Sequence, residues 1–171
     1  MFSKANQHPD DHKKDLGEKL NTQAELLYEI FTTSPNIKLI FNGTTLEYAN
    51  EKMLQFFGIA SVEEFVQKYQ CISTFFLKEN DYLFKEMPEG QDWFHYLLEH
   101  PQEQIKVILL KDNQRYIFAI DARELFSGTQ KSYIVDLEDI TTIEEMRQRY
   151  SFAINGADVG LWDWNLLTNE V

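Results

Sequence analysis

Cysteine occurs once, at Cys71, so no internal disulfide framework can hold the fold, a usage that suits a reducing compartment. Long apolar runs are also missing: none approaches the roughly 20 residues a membrane span requires. Met1 to Pro9 lack the apolar core of a secretory signal. Basic charge is scarce, with 16 Lys and Arg against 28 Asp and Glu, for a formal charge of −12. With no basic cluster to offset it, nucleic acid and anionic membrane surfaces are disfavoured as partners. Seven glycines fall mostly at expected turns and caps, and none builds a phosphate-cradling loop. His-Glu-x-x-His, paired cysteines and Gly-x-Ser-x-Gly are absent as well, so no catalytic constellation emerges. These absences lead to the expectation of a soluble, cytoplasmic chain that is not itself an enzyme.

What is present is enough to fill a core: apolar residues make up 43% and aromatics 14% of 171 residues, room for one ordinary domain plus appendages. Residues 1–13 are polar and are expected as a loose arm. From Asp15, Leu16, Leu20, Leu27 and Ile30 (with Gln23 in the gap) step as a heptad seam, widened by Ala24 and Phe31. Such a helix packs on its own domain, pairs with its twin in a dimer, or does both. Ser34-Pro35-Asn36 stops it. Ile37, Leu39 and Phe41 alternate as a first strand, Asn42-Gly43 is a tight-turn signal, and Thr45 to Tyr48 return. Asn50 is placed to cap a helix carrying Met53, Leu54, Phe56 and Phe57, with Gly58 as its left-handed C-cap. Ser61-Val-Glu-Glu64 is a capping box that opens a helix with Phe65 and Val66 inward. Residues 70–90 show no sustained period, and Pro88-Glu89-Gly90 breaks the chain. Asp92 caps a helix whose Trp93, Phe94, Leu97 and Leu98 share a face, closed by His100-Pro101. Three strands follow, over Gln104–Leu110, Arg115–Leu125 and from Tyr133, separated by turns at Asp112-Asn113 and Ser127-Gly128. One antiparallel sheet with helices on one face is predicted. Its other face carries Ile117, Ala119 and Ile134, and the N-terminal helix is the available cover.

The last strand, Tyr133-Ile-Val-Asp-Leu-Glu-Asp139, hands over at Asp139-Ile140-Thr141 to helical spacing. Thr141 or Thr142 can cap the new helix, and Glu144 and Glu145 lie where its dipole favours acids. The Asp-Ile-Thr junction resembles that of the PAS family of sensory domains, which commonly end in this tripeptide before a signalling helix. A second resemblance lies in Leu46-Glu-Tyr-Ala-Asn50 through Phe57-Gly58. The resemblance implies an α+β fold: a PAS-like five-stranded antiparallel sheet with short helices on one face, an N-terminal amphipathic helix and a C-terminal signalling helix. It gives residues 1–24 as arm and N-terminal helix, 25–142 as the sensory domain and 143–150 as a linker helix. Residues 151–171, with Gly160-Leu-Trp-Asp-Trp164, resemble the start of a second PAS domain cut at its second strand. The chain is therefore read as a fragment of a longer signalling protein, of histidine kinase or diguanylate cyclase type, as in two-component systems.

What the resemblance implies about function is a relay: Asp139 and Thr141 tie the outgoing helix to the domain by hydrogen bonds, and Ile140 anchors it by burial. Phe57, Phe76, Phe94, Phe118 and Val135 are the candidate lining of an apolar, aromatic cavity. No cofactor is assigned; the expectation is none, or a small apolar or aromatic ligand. Cys71 invites comparison with the flavin-binding branch of the family, which sets its cysteine in Asn-Cys-Arg-Phe-Leu-Gln. Here Gln70-Cys-Ile-Ser-Thr-Phe-Phe76 lacks the arginine that would hold the flavin phosphate, so an inert thiol is expected. His95 and His100 lie where haem-binding members place their axial ligand; a surface histidine beside Glu99 is the simpler expectation for His95. Arg115 and Arg123 can hold a carboxylate ligand, or pair at the surface with Asp121, Glu124 or a neighbouring strand. Asp136, Glu138 and Asp139 are weighed as a cation site against a solvated strand end, and no metal is assigned. The expected partners are a second copy, through the N- and C-terminal helices, and downstream domains of the same protein. The rival reading is a ligand-free dimerisation scaffold.

Overall fold

The computed structural model describes residues 9–42, 45–87, 90–127 and 130–156. The expected Asn42-Gly43, Pro88-Glu89 and Ser127-Gly128 breaks, the first eight residues and the Trp162–Trp164 segment lie wholly or partly outside them. Helix α1 spans Pro9–Thr32, beginning earlier than expected. Pro9 stands at the first helical position, where its fixed φ suits a helix start. Strands β1 (Ile37–Asn42) and β2 (Thr45–Ala49) form an antiparallel pair with a register shift between Ile40 and Phe41. Three short helices follow, α2 (Glu51–Phe57), α3 (Val62–Tyr69) and α4 (Trp93–Glu99), with a 3₁₀ turn over Ile72–Phe75 between α3 and α4. Strands β3 (Ile105–Lys111), β4 (Gln114–Ser127) and β5 (Gln130–Asp139) precede α5 (Thr141–Gly156). The sheet is antiparallel, in the order β2-β1-β5-β4-β3.

Register explains why one face is dry. Ile37 on β1 pairs with Leu137 on β5, which pairs with Ile120 on β4, which pairs with Ile105 on β3. Leu39, Val135 and Ala122 make the next row. Strand side chains alternate between faces, so these rows form a continuous apolar floor. Onto it α2, α3 and α4 place Met53, Phe57, Phe65, Trp93, Phe94 and Leu97, all buried in the same core. Each short helix is fixed by the local chemistry expected of it. The Asn50 and Asp92 side chains accept backbone N–H groups of the first turn, and Gly58 takes φ +64° at the end of α2. The Ser61 hydroxyl accepts from Glu64 N, but the Glu64 carboxylate reaches Ala60 N (2.8 Å), one residue earlier than a regular capping box. Val66, expected inward, is exposed at 36%, because the core face of α3 is met by Phe65 and Tyr69. Asp112 and Asn113 turn β3 into β4 with φ of +51° and +62°, the tight hairpin conformation that Asn and Asp tolerate.

The other face departs from expectation. Leu27 is 67% exposed and Ile30 57%, so the last third of α1 does not seat its apolar stripe on the sheet. A small second core covers one end of that face instead: Ile108, Ile117 and Ile140 are buried together, with Leu77, Tyr82 and Ala119 against them. Elsewhere the face is charged. Lys38 pairs with Asp136 and Arg123 with Asp121 (2.7 Å), beside Ile134 and Glu138 in an open groove of about 670 Å³.

Candidate functional site: the strand-to-helix junction

Strand β5 ends where Asp139 pairs with Phe118 of β4. One step further the ladder continues without regular strand: Ile140 N donates to Ile117 O at 2.9 Å. The chain then turns into α5, and the next rung is made by a side chain. Thr141 Oγ1 accepts from Ile117 N at 2.9 Å and donates its own proton to Asp139 Oδ1 at 2.6 Å. The same carboxylate oxygen accepts from Thr141 N at 3.0 Å. Helical bonding begins with Glu144 N to Ile140 O, 2.9 Å. Sequence reasoning assigned the cap to Thr141 or Thr142; the acceptor for the first-turn N–H is Asp139, because the Thr141 hydroxyl is engaged by β4. Ile140 is buried against Ile108 and Ile117. Both backbone groups of Ile117 thus go to the junction, and the three expected residues meet at one point.

A contact that the sequence did not single out completes this site, between Lys106 and Glu144, the latter expected only as an acid in the first turn of the helix. Lys106 Nζ on β3 reaches Glu144 Oε1 at 2.8 Å, and Arg147 Nη1 reaches the same oxygen at 3.3 Å. Glu144 is 8% exposed. The Lys106 hydrogen bond, outweighing burial, holds its carboxyl below the ordinary value. Thirty-eight residues separate the pair, and each looks ordinary alone, a lysine on a strand and an acid in a first helical turn.

The five candidate lining residues share the main core, with Phe57, Phe76, Phe94, Phe118 and Val135 all buried. Each of the four phenylalanines among them meets other rings. Phe57 meets Phe65 and Phe75 at 5.0 and 4.7 Å between centroids, Phe76 meets Trp93 at 5.5 Å, and Phe118 meets Phe56 at 5.6 Å. The grooves of about 670 and 440 Å³ at the surface are lined by other residues. His95 lies on the outer side of α4, with Nδ1 2.5 Å from Asp92 Oδ2. Its partner is therefore the cap residue and not Glu99, which accepts from Gln91 at 2.7 Å. His100 Nδ1 is held at 2.8 Å from Tyr96 O. Arg115 pairs with Glu79 of the loop after the 3₁₀ turn (2.9 Å), and Arg123 with Asp121 as expected. Cys71 is half-buried and its sulfur accepts from Ser73 Oγ. Asp136 is held by Lys38 and by Asn36 Nδ2 (2.8 Å), while Asp139 serves Thr141. Among the described residues no group of three His, Cys, Asp or Glu is arranged to hold a metal ion, and no helix is long and apolar enough to cross a membrane.

The fold is α+β, a five-stranded antiparallel sheet with short helices on one face. Among the solved structures similar to it are three titled as PAS domains. That of an HTR-like protein from Haloarcula marismortui is 15% identical, with 74% of this chain and 99% of that one covered, at a TM-score of 0.46. A PAS domain from Desulfitobacterium hafniense is 18% identical over 65% of this chain and 98% of its own, at 0.47. A third, from a two-component sensor histidine kinase, is 6% identical over 70% and 97%, at 0.46. No family model and no curated protein sequence matches the chain.

Proposed function

We propose that the chain is a cytoplasmic sensory input module of a multidomain signalling protein, of histidine kinase or diguanylate cyclase type. Its role is regulatory, with catalysis left to an effector elsewhere in that protein. Binding of a ligand or partner shifts the sheet, and the shift passes through Asp139, Ile140 and Thr141 into α5. The observation that carries this reading is the unbroken hydrogen-bond path from β4 through Thr141 to the first turn of the helix. A displacement of Ile117 has no slack to absorb it before α5 begins. Two copies pair through α1 and α5, where Leu27, Ile30, Ile143, Met146 and Tyr150 are exposed.

The test is Asp139→Ala together with Thr141→Ala in the full-length protein. Regulation of the effector is lost while the domain keeps its circular dichroism and cooperative unfolding; unchanged regulation would overturn the relay. A second reading, a scaffold that holds two copies together with no ligand, draws on the close ring contacts around the five lining residues. Native mass spectrometry of the purified protein, with absorbance from 350 to 450 nm for haem or flavin, separates the two. A retained small apolar or aromatic molecule favours the sensor, and a bare chain in every preparation favours the scaffold or a protein signal.

A further inference from the structure

The tie at Thr141 fixes where α5 begins, but a rod held at one end can still swing. Glu144 lies three residues on, about 4.5 Å along the helix axis, and Lys106 holds it at 2.8 Å. Two fixed points define a direction. Arg147 also meets Glu144, but it belongs to the same helix and moves with it, so it attaches nothing. Lys106 is on β3, an edge of the sheet, and its carbonyl accepts from Leu83 N at 2.7 Å. Two residues along, the Ile108 carbonyl accepts from Leu77 N at 2.8 Å. Leu77 and Tyr82 in turn pack on the Ile108–Ile117–Ile140 core beneath the junction. The segment from Leu77 to Leu83 therefore grips β3 by its backbone and the junction by its side chains. Tyr82, Leu83 and Lys106 also line the groove of about 440 Å³, with Phe84 and Met87.

We propose that the Lys106–Glu144 pair is a second, separable attachment of α5, which sets the direction of the helix and makes it answer to β3 and the Leu77–Leu83 segment. Lys106 and Glu144 are positioning residues in this device. It is distinct from the Asp139–Thr141 tie, which connects α5 to β4. For its use in signalling the proposal rests on the relay reading of α5; the attachment itself is measured without an effector.

The measurement is amide hydrogen exchange on the whole 171-residue chain. A helix of this length is marginal in water when unattached, so releasing its second hold exposes the amides of Glu145 to Tyr150. Lys106→Met is expected to speed their exchange about tenfold while the β4 and β5 amides of Phe118 and Val135 keep their rates. Lys106→Arg retains a cation able to reach the carboxylate and is expected to keep the protection. Glu144→Leu, which leaves β3 untouched and removes the acceptor, reproduces the effect of Lys106→Met. Unchanged exchange in α5, equal acceleration in the sheet, or loss of protection in Lys106→Arg would each overturn the proposal. Failure of the relay would appear elsewhere, as unaltered effector output in the Asp139→Ala, Thr141→Ala variant.

Discussion

Asn50 is wholly buried, and its carboxamide makes three hydrogen bonds. Oδ1 accepts from Lys38 N at 3.0 Å and from Met53 N at 3.2 Å, and Nδ2 donates to Asn36 O at 2.8 Å. One side chain thus caps α2 and fastens it to the start of β1. All three partners are backbone groups, and Met53 N lies in the buried interior, so removing the amide leaves that donor unpaired. Leaving a buried backbone group unpaired costs about 1–3 kcal/mol, and losing a helix cap about 1 kcal/mol. Asn50→Ala is expected to destabilise the domain by about 2–3 kcal/mol, read as a lower urea midpoint at unchanged slope. Asn50→Asp keeps both accepted bonds, loses the donor to Asn36 and sets a carboxyl oxygen against that carbonyl, so its midpoint should fall between those of Asn50→Ala and the parent chain. An equal loss in both variants would mean that the acceptor oxygen contributes little.

At the scale of elements, the joint between β5 and α5 combines the Asp139–Thr141 tie with an ion pair at Glu144, and the response of the ion pair to acid has a definite sign. The groups facing the Glu144 carboxylate are Lys106 from β3 and Arg147 from its own helix. Its folded value lies below the ordinary 4.5, so the unfolded chain takes up its proton first as pH falls. The stabilisation is full above about 4.5 and disappears as pH drops through the lower folded value. The gap in unfolding free energy between the parent chain and Glu144→Gln should be constant from pH 8 to 6 and close toward pH 3. Urea midpoints of both proteins across that range check it, and a gap independent of pH would mean that the pair carries no charge-dependent stabilisation. The same joint shows what was legible in the chain. The capping bonds of Asn50, Gly58, Asp92 and Asp139 act on residues at most four positions away, and the Ile140-Thr141 turn continues a strand already visible by its alternation. Lys106 and Glu144 meet only through the fold, and neither has a spacing that announces the other. Residues 70–90 were unreadable for a related reason. They join the sheet edge by single bridges, Phe76 to Leu109 and Leu83 to Val107, so no period of two or 3.6 ever forms. The helix expected over the outer face is exposed from Asn21 to Ile30, and that face sets the paired charges of Lys38, Asp136, Asp121 and Arg123 beside apolar Ile117 and Ala119.

For the whole molecule, two tendencies oppose each other. Ile143, Met146 and Tyr150 step by three and four along α5, each about three-fifths exposed, and an apolar seam of that spacing suits a second helix. Against this, every copy carries −12, so two copies repel over the distance that salt leaves unscreened. The screening length is about 30 Å at 0.01 M salt and about 8 Å at 0.15 M. Apolar burial is not weakened by added salt, whereas repulsion is. Self-association through the α5 seam should therefore tighten as sodium chloride rises from 0.01 to 0.3 M, opposite to the behaviour of an interface built on ion pairs. Sedimentation equilibrium across that range measures it. Met146→Glu with Tyr150→Glu buries two acids in the seam and adds two charges per copy, and should give a monomer at every salt concentration. Lys106, on the sheet and away from the seam, is the control: Lys106→Met should change the swing of α5 and leave the salt dependence of association in the same direction. A dimer that weakens with salt, or one that survives both glutamates, would move the contact off α5 and onto the charged outer face of the sheet.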